Sequence, residues 1–119
     1  MAIERVAVIG AGTMGAGIAQ VCAQAGWTTA LYDAFPEGLE RGMQRIDAFW
    51  DKGIARGKTT AEQKAQWSSF LASENNLEKA VKNADLIIEA VPEILELKQK
   101  IFHDLEAITS DKTIFATNT

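Results

Sequence analysis

The sequence predicts an α/β fold built on a doubly wound parallel sheet, and three observations carry that prediction. Short unbroken apolar runs alternate with segments of helical period. Glycines crowd the turn between the first run and the first helical segment. The composition, 47% hydrophobic and 24% charged over 119 residues, suits one ordered globular domain and leaves no room for a second.

Val6 to Ile9 is an apolar run between Arg5 and Gly10, the form taken by a strand buried on both faces. Met14, Ile18, Val21, Cys22 and Ala25 then recur at helical spacing, which predicts a helix burying that face and ended by Gly26. Residues 27–32 predict a second strand, closed by Asp33. Strand, glycine turn, helix and strand make the first unit of a doubly wound sheet. Leu39, Met43, Ile46 and Trp50 continue a helical period until Gly53 breaks it. Thr60 with Gln63 matches a capping box opening a further, shorter helix. This stretch is longer than one crossover helix needs. It predicts a helical hairpin, or one helix with a long tail, leaning off the sheet.

Residues 70–73 suit a short strand, and Asn76 is placed to cap a helix carrying Leu77, Ala80, Val81 and Ala84. Residues 86–91 predict a buried strand. Ile94, Leu97, Ile101, Leu105 and Ile108 predict a helix of about four turns, and residues 113–117 a last strand. Right-handed crossovers then order the strands 3-2-1-4-5, with the glycine turn at the switch point between strands one and four. There is no internal repeat, low-complexity segment or linker. A sheet that closes on a strand, without a final helix, is expected to be incomplete.

Charge and cysteine content exclude several function classes. A net charge of −4 argues against nonspecific nucleic-acid binding. No run of apolar residues is long enough to span a membrane as a helix, and the first residues lack a signal-peptide pattern. A single cysteine, Cys22, excludes an intrachain disulfide and a multi-cysteine metal site. No metal, nucleic-acid or membrane partner is expected, and the location expected is cytoplasmic.

Gly10-Ala11-Gly12-Thr13-Met14-Gly15 matches G-x-G-x-x-G between a buried strand and an amphipathic helix, the context that makes this motif a dinucleotide-binding turn. Gly10 turns the chain out of the strand. Gly12 leaves the backbone open to a pyrophosphate, and Gly15 lets helix and sheet pack closely. The helix N-terminus then faces the phosphates. Asp33 follows Gly15 by 18 residues, near the expected spacing of about 20. Its carboxylate can accept bonds from the adenosine ribose hydroxyls and would repel a 2′-phosphate. Ala34 and Phe35 offer no arginine for such a phosphate, so the cofactor expected is NAD. The plainer alternative is that Asp33 only caps the following helix.

Residues 89–93 read Glu-Ala-Val-Pro-Glu at the carboxyl end of the fourth strand, where open parallel sheets bind ligands. Ala90 and Val91 are therefore expected along the cofactor and Glu93 near the nicotinamide ribose. Glu93 also suits a helix N-terminus, and Lys98 by itself suits a solvated helix face. His103, the only histidine, falls opposite the apolar face of its helix and reads as a surface residue rather than a base. Cys22 reads as a small core residue. Trp27, Trp50 and Trp67 read as packing residues, with a groove lined by Trp50 and Trp67 as the alternative. Lys52, Arg56 and Lys58 form a basic cluster near the hairpin tip, either a phosphate-attracting patch or a solvated turn.

Val-Ile-Gly-Ala-Gly-Thr-Met-Gly-Ala-Gly-Ile-Ala-Gln at 8–20, Asp33, the block at 84–93 and Ile-Phe-Ala-Thr-Asn-Thr at 114–119 resemble the L-3-hydroxyacyl-CoA dehydrogenase family. The likeness is in particular to its single-function, 3-hydroxybutyryl-CoA dehydrogenase-like members. It covers the whole chain, block by block in the family's order, and identifies residues 1–119 with the N-terminal, Rossmann-type NAD-binding domain. It implies oxidation of the 3-hydroxyl of an acyl-CoA by NAD, in fatty-acid β-oxidation or butanoate metabolism. By position it implies that Gly10 through Gly15 hold the pyrophosphate and Asp33 the ribose. Glu93, Lys98 and Asn118 match further NAD-contacting positions, Asn118 beside the nicotinamide. The helical excursion matches a hairpin that reaches towards coenzyme A.

The family pattern continues into Ser-Ser, a catalytic histidine with its orienting glutamate, and a helical substrate and dimerisation domain. The chain ends before these, so no catalytic residue is expected within it, and the homodimer the family implies would form through that later domain. Phe49 stands where some relatives carry a CoA-contacting serine. Two other readings use the same residues: a stand-alone NAD-binding module without catalysis, or the cofactor domain of another β-hydroxyacid dehydrogenase. The absence of arginine after the second strand weighs against the latter.

Overall fold

A computed structural model describes residues 3–90 and 114–117 of the chain. In chain order the elements are β1 (Arg5–Ile9), α1 (Thr13–Gln24), β2 (Thr28–Tyr32), α2 (Pro36–Ala55) and α3 (Ala61–Ser69), then β3 (Leu71–Glu74), α4 (Leu77–Val81), β4 (Leu86–Glu89) and β5 (Ile114–Thr117). The strands form one five-stranded sheet in the order β3-β2-β1-β4-β5. Every pairing is parallel, and Val8 of β1 stands opposite Leu31 on one side and Ile88 on the other. The expected order and the central place of β1 are both found.

Alternation along β1 explains its unbroken apolar run. Val6 and Val8 point into a core shared with Ala16, Ala19, Cys22 and Ala23 of α1, and with Leu39, Ile46 and Trp50 of α2. Ala7 and Ile9 point the other way, into a smaller core with Val81, Ala84 and Ile87. A strand covered on both faces has no wet side on which to place polar residues.

The first helix buries only part of the face its spacing predicts: Cys22 is buried and Ile18 packs against the core. Gly15, Ala16, Ala19, Cys22 and Ala23 are buried, whereas Met14 and Val21 are 52% and 64% exposed and Ala25 is exposed. Small side chains win because they let the helix axis approach β1 and α2 closely, and close packing over the whole face outweighs burial of a few larger groups. Gly26 does end the helix, in a left-handed conformation with φ of 85°.

The region after β2 is a helical hairpin, but it lies against α1 instead of leaning off the sheet. Trp50, 2% exposed, donates its indole N–H to Gln24 Oε1 of α1 at 3.0 Å. Its ring meets Trp67 of α3 with centroids 5.7 Å apart. Lys64 of α3 bridges Asp47 at 2.8 Å and Asp51 at 2.7 Å on α2. Those bonds, Asp47's first, hold its ammonium pKa above the ordinary lysine value. Gly53 does not stop α2, which runs to Ala55. A Cβ at Gly53 would lie 2.7 Å from Thr59 Oγ1, so its hydrogen lets the connection fold back onto the helix. The stop falls at Gly57, with φ of 72°. Thr60 and Gln63 make both arms of the capping box.

Asn76 caps α4 by accepting the Lys79 N–H at 2.9 Å, and Ala84 lies beyond that helix although it is buried. Below the sheet, the Asp85 carboxylate accepts the N–H groups of Glu4 and Arg5, both at 3.0 Å. These two bonds, Glu4's first, lower its pKa below the usual aspartate value. The predicted helix over 94–108 lies outside the described residues.

Candidate binding site at the carboxyl ends of the strands

The glycine turn leaves β1 where the strand order reverses. Gly10 takes φ of 108° and donates its N–H to the Tyr32 carbonyl at 2.7 Å, a conformation that a Cβ would strain. Gly15 is required by space: a Cβ there would stand 1.6 Å from the Gly10 carbonyl oxygen. Gly12 shows the opposite situation. A Cβ there would meet nothing within 4 Å, so its missing side chain keeps open a space that the protein itself leaves empty.

No side chain caps α1, and its first turn holds no acidic residue. Its N-terminal amides and dipole therefore point at that opening. Ala11 is buried, while Gly12, Thr13 and Met14 are exposed around it. Ala90 donates its N–H to the Ile9 carbonyl at 2.8 Å, and its methyl would lie 3.6 Å from a Cβ on Gly15. The fourth strand thus ends beside the turn.

Asp33 closes the other side, half-buried. Its Oδ2 accepts the Ala11 N–H at 2.8 Å and its Oδ1 the Phe35 N–H at 2.9 Å. The carboxylate thus ties the glycine turn to the start of α2, so the structural role weighed for it is real and broader than a helix cap. Two carboxylate oxygens offer about four acceptor positions, and two remain for a ligand's hydroxyls. An open glycine turn, an uncapped helix N-terminus and an anchored carboxylate together fit a dinucleotide.

Two supporting residues escaped sequence reasoning. Gly42 lies inside α2, where a Cβ would stand 2.6 Å from the Ala11 carbonyl oxygen, so α2 braces the back of the turn. The signal was present, since a lone glycine within a helical period marks a close approach. Glu89 ends β4 and is 1% exposed, with Ile9 as its partner across the pairing. A carboxylate ending an otherwise apolar strand was its signal.

Val91, Glu93, Lys98, His103 and Asn118 lie outside the described residues. Lys52, Arg56 and Lys58 are exposed at the far end of α2, about 25–30 Å of helix from Asp33, and do not share the site. Cys22 is buried, which raises its thiol pKa above the ordinary value and fits a core residue. Among the described residues no group of three His, Cys, Asp or Glu side chains could hold a metal ion.

Residues 5–119 match the family described as 3-hydroxyacyl-CoA dehydrogenase, NAD binding domain. The 3-hydroxyadipyl-CoA dehydrogenase of Escherichia coli K12 is 41% identical over 98% of the chain, which spans 24% of that enzyme. A probable 3-hydroxybutyryl-CoA dehydrogenase of Bacillus subtilis is 36% identical over the whole chain, 41% of its own length. Among solved structures, a 3-hydroxybutyryl-CoA dehydrogenase from Escherichia coli K12 superposes with a TM-score of 0.93 at 40% identity, covering all of the chain and 25% of its own. The chain therefore spans between a quarter and about two fifths of these relatives.

Proposed function

Because this chain belongs to the family of 3-hydroxyacyl-CoA dehydrogenase NAD-binding domains, we propose that it serves as the NAD-holding part of an enzyme interconverting (S)-3-hydroxyacyl-CoA and 3-oxoacyl-CoA. The observation that carries the reading is Asp33, fixed at 2.8 Å from the Ala11 N–H on the rim of the open turn. In this proposal Gly10, Ala11, Gly12, Thr13, Met14 and Gly15 form the turn that receives the pyrophosphate, against the N-terminal amides of α1. Asp33 accepts the adenosine ribose hydroxyls, and Ala90 with Val91 lies along the cofactor. Glu93, Lys98 and Asn118 complete the nicotinamide side. NAD bound there supplies the acceptor for hydride from the alcohol carbon.

The proposal also takes the complete enzyme as a cytoplasmic homodimer acting on acyl-CoA. The relatives' names support the substrate class. Among the described residues no helix is long and apolar enough to cross a membrane.

Asp33 supplies the test. Alanine there would release both the Ala11 and Phe35 amides. Asp33→Asn removes the charge and keeps one oxygen acceptor, giving up one of the two anchors. The ribose contact is therefore read from the ratio of NADH to NADPH affinity, which loosening of the turn alone would leave unchanged. The asparagine variant is expected to weaken NADH by roughly 1.5–3 kcal/mol and to narrow the preference over NADPH, read by titration calorimetry. Tighter binding of NADPH than NADH by the unaltered chain would refute the assignment.

A further inference from the structure

Resting on the dinucleotide reading of Asp33, we propose that the phenyl ring of Phe35 is the platform on which the adenine base of the cofactor stacks. Of the large apolar side chains among the described residues, that of Phe35 is the most exposed, at 67%. It is also held in place. Its N–H is bound to Asp33 Oδ1 at 2.9 Å, its backbone is extended at φ −104° and ψ 114°, and Pro36 follows at the start of α2. A following proline keeps a residue out of the helical region. The ring therefore leaves a backbone fixed from both sides, at the lip of the site.

Connectivity supplies the ligand. The ribose assigned to Asp33 carries its base on the adjacent carbon, so the base emerges within reach of a side chain two residues along. The surroundings leave that space open. Ala34 is exposed and ends at Cβ. Gly38, one turn into α2, has no side chain to lie over the Asp33 carboxylate, which stands 3.5 Å from where its Cβ would be. An aromatic face left in water has a standing hydrophobic cost, and a purine laid on it removes that cost from both partners. Stacking needs no particular edge pattern on the base. It adds affinity to the adenosine half and leaves the choice between NAD and NADP to Asp33.

The test uses the chain itself with NADH and ADP-ribose, the latter carrying the adenosine half and no nicotinamide. Phe35→Leu keeps an apolar group of similar size and removes the ring, and Phe35→Tyr keeps the ring. Leucine should weaken both ligands about tenfold, and tyrosine should hold them within about twofold of the unaltered chain. Proton spectra should show the adenine H2 and H8 resonances moving upfield on binding to the unaltered chain and to F35Y, but not to F35L. A structural effect on the turn would move affinity without that ring-current signature. Unchanged ADP-ribose affinity in F35L, or adenine resonances that do not move on binding to the unaltered chain, overturns the proposal. Failure of the unaltered chain to bind NADH would instead remove the dinucleotide reading on which it rests.

Discussion

Gly12 and Gly15 stand three residues apart in one turn and require glycine for opposite reasons. At Gly15 the obstacle is the protein, a carbonyl oxygen 1.6 Å from where a Cβ would go. At Gly12 nothing of the protein lies within 4 Å, and its φ of −69° suits any residue. Substitution should separate folding from binding. Gly15→Ala is expected to destabilise the chain by about 3 kcal/mol, read as a lower urea midpoint. Gly12→Ala should leave that midpoint nearly unchanged while lowering NADH affinity at least about tenfold. Equal losses of stability in both variants would show that the turn is not open over Gly12. The glycine motif already assigns Gly12 to the ligand and Gly15 to close packing, and the geometry at each fits that assignment. The atom that a side chain at Gly15 would strike was not legible, because it depends on the path of the Gly10 carbonyl, a property of the folded turn.

Elements show where linear patterns succeed and where they fail. The capping box at Thr60 and the Asn76 cap were legible because each bond spans three residues. The buried face of α1 was legible only in part, because hydrophobic spacing marks Met14 and Val21 together with Ile18 and Cys22, while packing keeps the last two and adds Ala16 and Ala19. Spacing reports which residues share a face, and only the neighbouring surfaces decide which face is inside. Thr60→Ala should remove one arm of the box and cost about 1 kcal/mol, measured by urea unfolding. Asp85 joins β4 to the entry of β1 through two backbone bonds that lower its folded pKa. A lowered folded value means stability present above the unfolded pKa of about 3.9 and lost as pH falls through the folded value. Asp85→Ala should therefore lower the melting temperature at neutral pH, with the gap from the unaltered chain closing in acid. A gap that persists at the lowest pH would assign the effect to lost packing instead.

At the scale of the whole molecule, the parallel sheet turns the carboxyl ends of its strands to one side, so that Gly10, Asp33 and Ala90 meet although far apart in sequence. That convergence was legible, because alternating periods fix the crossovers and crossovers fix the strand order. The bracing of the turn by Gly42 was not, since it depends on how near α2 comes to Ala11. Holding a dinucleotide is only part of oxidising an alcohol, which also needs a base to accept the hydroxyl proton. His103 is the only histidine among the 119 residues, and the sequence pattern predicts it on the side opposite the apolar residues at 101 and 105. Purified residues 1–119 should therefore bind NADH yet give no acetoacetyl-CoA-dependent loss of its absorbance. Sustained turnover would show that the base lies within the chain. Asp33 meanwhile bears on how such a domain can change its cofactor over generations. One carboxylate shapes the loop through Ala11 and Phe35 and, in the proposed site, stands where a phosphorylated ribose would have to enter. A mutation that welcomes the phosphate loosens the loop in the same step. A lineage moving towards NADP must therefore rebuild two backbone anchors before the new preference can appear, which makes allegiance to NAD hard to leave by single substitutions.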